Sequence, residues 1–138
     1  MSVGTRREAR ERALSLLYEA DAKGVPPEAV LAELPVHPGP FVADLVRGVA
    51  ERREQLDQLI GRYSIDWAPE RMPVIDLTLL RMSTYELLAL PDIPTGVVIS
   101  EAVDLAKLYS TEESGRFVNG VLASIAAETR GPAGSGVD

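Results

Sequence analysis

The sequence predicts an all-α, single-domain protein, and three observations lead there. Apolar residues recur at three- and four-residue spacing through most of the chain. Proline and glycine cut it into helix-sized pieces at Gly24, Pro26-Pro27, Pro35, Pro38-Gly39-Pro40, Pro73 and Pro91. No segment shows the apolar–polar alternation of a half-buried strand. A chain of 138 residues with 46% apolar content is long enough to bury a real core.

The first helix starts at Thr5, a suitable N-cap, with Glu8 at the capping-box spacing. Ala9, Ala13, Leu16, Leu17 and Ala20 form its apolar stripe, and Gly24 followed by Pro26-Pro27 ends it. A short second helix spans Glu28 to Leu34, stopped by Pro35. Phe41, Leu45, Val49, Leu56, Leu59, Ile60 and Tyr63 keep helical spacing and predict one long third helix. "SIDWAP" reads as a connector, and Pro73 suits the first turn of a fourth helix. That helix, through Leu88, is apolar nearly all round and belongs at the centre of a bundle. A fifth runs from about Thr95 to Tyr109 and a last from about Glu112 to Glu128. Asn119-Gly120 is a favoured hairpin turn, yet Phe117, Val118, Val121, Leu122, Ile125 and Ala126 recur helically. Gly120 is therefore expected inside a helix, where a missing side chain lets another backbone come close. Residues 130–138 are small and polar and are expected to form an unstructured tail after a domain of residues 1–129.

Composition narrows the function. With no cysteine, disulfides and thiolate metal sites are excluded. The one histidine, His37, lies between prolines and has no second histidine to share a metal. Glu112-Glu113 reads as a helix-start pair, and no catalytic constellation emerges, so an enzyme is not expected. No apolar run reaches the length of a membrane span, and the start lacks a signal peptide's apolar segment, which points to the cytoplasm. No cofactor is expected.

The charge is lopsided. The chain carries a net −7, yet residues 1–12 hold four arginines against two glutamates. On a helical wheel Arg6, Arg7 and Arg10 share one flank, and Tyr18 closes it. Arg12 lies apart, four residues after Glu8, as a surface pair. Three guanidiniums beside an aromatic ring suit RNA contact, since arginine grips phosphate and both groups stack on bases. The same pattern suits a solvated helix face. Positive charge in a first turn opposes the helix dipole, a placement that a negatively charged partner would explain. In the fourth helix, Asp76, Arg81 and Glu86 point in different directions; each needs a partner on a neighbouring helix, or in the case of Asp76 an exposed partner interface.

"RREARERALSLLYEAD", "LLRMSTYELL", "PDIPTGVVISEAVDLAKLYS" and "FVNGVL", in that order and spacing, resemble the NusB family of transcription antitermination proteins. The resemblance covers about Arg6 to Ala127. It implies about seven helices in two packed subbundles. It also implies pairing with NusE, a small ribosomal protein, and binding of boxA RNA in nascent transcripts, notably of ribosomal RNA operons. Other Nus factors and RNA polymerase would join the complex, and some members self-associate. By the resemblance Arg6, Arg7, Arg10 and Tyr18 are RNA contacts, joined by Arg116 and Phe117; the spacing of Phe117 with Val121 suits the core equally. Asp76 and Glu113 are implied on the NusE side. Arg81, Glu86, Asn119 and Gly120 are read as structural. Two alternatives stand beside this: a helical scaffold binding protein only, and the front domain of an rRNA cytosine methyltransferase, for whose methyl-donor domain the chain leaves no room.

Overall fold

In the computed structural model, which describes residues 5–65 and 67–131, α5 (Val74–Ala89) is the axis of the molecule. It touches five other helices: α1 (Arg6–Lys23), α3 (Pro40–Glu51), α4 (Arg53–Tyr63), α6 (Thr95–Tyr109) and α7 (Glu112–Arg130). The short α2 (Pro27–Ala32) packs on α1 and α3. Helices α1–α3 thus form one subbundle and α4–α7 the other, with α5 facing both. Among the described residues there are seven α-helices, one 3-10 turn at Pro69–Arg71 and no strand.

The local signals explain most boundaries. Thr5 caps α1 through the predicted box: its hydroxyl accepts from the Glu8 backbone and the Glu8 carboxylate accepts from the Thr5 backbone. Gly24 closes α1 in the left-handed region, at φ 67°. The long third helix of the sequence reading is two helices. The chain breaks at Arg52, φ −111° and ψ 17°, so that α4 turns away to pack on α5 and α7. The apolar spacing continues across the break because both pieces bury an apolar face, Val42 to Val49 and Leu56 to Ile60.

Helix α5 is buried on all sides, as its sequence demanded. Its Leu79, Leu80 and Met82 join Leu45, Leu56, Ile60, Leu105, Leu122 and Ile125 in one continuous core. Close approach occurs at Gly48, where a Cβ would lie 2.2 Å from the Tyr85 ring. The Tyr85 hydroxyl donates to Asp44, and burial with that bond pushes its pKa up to about 12. Gly120 does lie within α7, but nothing stands within 4 Å of where its Cβ would be. The close backbone expected there is absent because that face of α7 looks outward.

Arg130 was expected in the tail, and it is instead the last residue of α7. Its guanidinium donates to the carbonyls of Glu86, Leu87, Leu90 and Ile93 and to the Thr95 hydroxyl. The Glu86 and Leu90 carbonyls also accept from the Leu90 and Ile93 backbone, whereas the Leu87 carbonyl faces Pro91, which has no N–H to give it. The rest of the expected tail, residues 132–138, lies outside the described residues.

Candidate nucleic-acid interface

The arginines of α1 divide by depth. Arg10 is 3% exposed. It makes a two-pronged bond to Glu86 of α5, at 2.9 and 2.7 Å, and lies 3.7 Å from Glu101 of α6. A charge this deep needs its pair, so Arg10 ties α1 to α5 and is not free for RNA; the sequence expectation for it is corrected. The wheel placed it on the flank with Arg6 and Arg7, but α5 packs against α1 there and Glu101 of α6 reaches in beside it. Glu86 is structural, as expected.

Arg7 is half-tied. It bonds Glu101 through Nε and Nη2 and Asp104 through Nη2 at 2.9 Å, while 37% of its side chain remains open. The pairing holds the Glu101 carboxyl below the usual carboxylate range and Arg7 above its ordinary value. Arg6 is exposed and lies over the Phe41 ring, 4.5 Å from its centroid, with no acidic partner among the described residues. Arg12 is exposed, and the expected pair with Glu8 does not form, because Glu8 is engaged in the cap. Tyr18 is exposed, as predicted.

The α6–α7 corner continues this edge. The Tyr109 hydroxyl donates to Glu11 of α1 at 2.8 Å, which lifts the Tyr109 pKa. Ser110 bonds Ser114 across the corner, and Thr111 caps α7. Two residues further, Arg116 is exposed and Phe117 is half-buried, with Trp67 against its ring. Tyr109 thus ties the end of α6 to α1, and the Ser110–Ser114 bond ties that end to the start of α7. Sequence reading missed Tyr109 and Trp67. An aromatic at a helix end and a tryptophan in a polar connector were the available signals.

The two residues expected on the partner side separate as well. Glu113 is exposed in the first turn of α7. Asp76 is fully buried and accepts from the Ser114 hydroxyl at 2.7 Å, joining α5 to α7. It cannot touch a partner, because α7 covers the start of α5. Arg81, read as structural, pairs with Asp57 of α4. Among the described residues no cluster of His, Asp or Glu could hold a metal, and no helix is long and apolar enough to cross a membrane.

The NusB family model matches residues 7–127. The chain belongs to the NusB family. Relatives agree over nearly their whole length. The transcription antitermination protein NusB of Kineococcus radiotolerans is 44% identical over 130 residues, 90% of this chain and 94% of that one. That of Salinispora tropica is 46% identical over 129 residues, covering 88% and 94%. The solved T. maritima NusB superposes with a TM-score of 0.82 at 37% identity, covering 92% of this chain and 94% of that one. A crystal structure of antitermination factors NusB and NusE in complex with dsRNA matches with a TM-score of 0.75 at 29% identity, covering 89% and 96%. This NusB-family chain is accordingly a transcription antitermination protein and not an enzyme.

Proposed function

We propose that the chain acts in the cytoplasm as an antitermination adaptor that pairs with a NusE-type ribosomal protein and binds boxA-like RNA in nascent transcripts. The observation that carries this reading is the solved relative of the same fold, held with NusE and double-stranded RNA. The charge distribution supports it: a chain of net −7 suits a basic ribosomal protein, while Arg6 and Arg12 of α1 and Arg116 of α7 stay exposed. Other Nus factors and RNA polymerase would join the larger complex. The RNA contacts in this reading are Arg6, Arg7, Tyr18, Arg116 and Phe117, without Arg10; Glu113 is the partner-side residue, without Asp76. Arg7 must exchange Glu101 and Asp104 for phosphate.

The test is a titration of labelled boxA-like RNA, read by anisotropy, with and without the NusE-type protein. Size-exclusion chromatography on the same samples reads self-association. Binding that tightens with the partner and falls steeply with salt is expected. Partner binding without any RNA binding would leave only a protein scaffold.

A further inference from the structure

The connector between α4 and α5 exposes apolar side chains on irregular backbone: Ile65 is 91% exposed and Trp67 40%. Trp67 meets Phe117 of α7 with ring centroids 5.4 Å apart and planes at 73°. In such an edge-to-face pair one ring contributes its edge and the other a single face. Whichever ring is which, at least one whole face of the indole is left uncovered by Phe117. Phe117 is half-buried and packed on the core, so the ring beneath Trp67 is anchored. Its neighbour Arg116 is exposed, with no acidic partner among the described residues.

We propose that Trp67, seated on Phe117, is a stacking platform for one unpaired base of single-stranded RNA, with Arg116 meeting the adjoining phosphate. The proposal rests on the RNA reading above and adds to it a contact on a different element from α1. An indole face left uncovered by Phe117 on a 40% exposed side chain, and an exposed arginine beside Phe117 on α7, match what a nucleotide offers, a ring and a phosphate. Stacking also depends little on net charge, which matters on an acidic protein that repels dense phosphate.

Trp67 is the only tryptophan, so the emission of the full chain reports this side chain alone. The chain is titrated with labelled single-stranded boxA-like RNA, reading tryptophan emission and RNA anisotropy together. Inorganic polyphosphate is the control that carries charge without bases. Quenching by RNA at the anisotropy midpoint, and none by polyphosphate, is expected. Trp67→Leu keeps an apolar cover on Phe117 but has no π-face; it should weaken RNA binding about tenfold, and Trp67→Phe should restore most of that. If Trp67→Leu fails to fold, quenching of the unaltered chain and the affinity of Trp67→Phe decide. RNA binding with unchanged emission overturns the platform and leaves the RNA reading standing. No RNA binding with or without the NusE-type protein overturns both.

Discussion

Arg6 and Arg10 stand one turn apart on the same helix, and both lean over the ring of Phe41. One is open to solvent; the other is buried in a paired network with Glu86 and Glu101. The same contrast separates two regions of the molecule. Along the inner seam of α5, charges serve the fold: Arg10 with Glu86, Arg81 with Asp57, Asp76 with Ser114. Along the outer edge, Arg6, Tyr18 and Arg116 serve no internal contact of that kind. Residue type therefore says little about role here; what closes over a side chain decides it.

The sharpest way to break this comparison is to remove one member of the seam. Arg10→Ala leaves Glu86 buried and unpaired, and should cost about 3–5 kcal/mol in urea unfolding. Replacing both members with apolar residues of similar size should recover most of the loss. A soluble, fully stable Arg10→Ala with weakened RNA binding would reverse the assignment. Arg130→Ala comes next. The Leu87 and Ile93 carbonyls lose their side-chain donor while Glu86 and Leu90 keep backbone ones, and a loss of about 1–3 kcal/mol is expected from thermal melts.

Outer-edge changes should show the opposite signature. Arg6→Ala with Arg116→Ala should leave stability within about 0.5 kcal/mol and make the salt dependence of single-stranded RNA binding shallower by about 0.7 per lost contact. A smaller effect separates two glycines. Gly120→Ala, on an open helix face, should stabilise by about 0.5–1 kcal/mol, whereas Gly48→Ala drives a methyl into Tyr85 and should destabilise. The smallest is at the half-tied Arg7. The pKa of Glu101 is lowered in the fold, so its pairing contributes stability above the ordinary value of 4.5. That contribution disappears as pH falls through the lower folded value. The Tm gap between Glu101→Gln and the unaltered chain should accordingly be full at neutral pH and close in acid.

Six helices, their order and the central place of α5 were legible in the sequence, because each rests on spacing and breakers that act within one segment. The seventh, implied by the family resemblance, left no mark in the spacing because α3 and α4 share one apolar rhythm, and only the packing of α4 on α5 and α7 requires the bend at Arg52. The exposed half of the candidate edge was legible too: Arg6, Arg7 and Tyr18 stand on one face of one helix, and a wheel finds them. Arg10 was misread because a wheel gives direction and not depth. Asp76 was misread because position near a helix start says nothing about what the last helix covers.

The sequence by itself determined the all-helical class, the helix ends and the family, since these follow from local stereochemistry and from the order of motifs along one chain. Only the tertiary structure decided which charges are structural and which are free. That depends on desolvation by helices distant in sequence: Glu86 reaches Arg10 across 76 residues, and Glu101 reaches Arg7 across 94. No local pattern records such a meeting, because its cost and its compensation arise only when both groups leave water together.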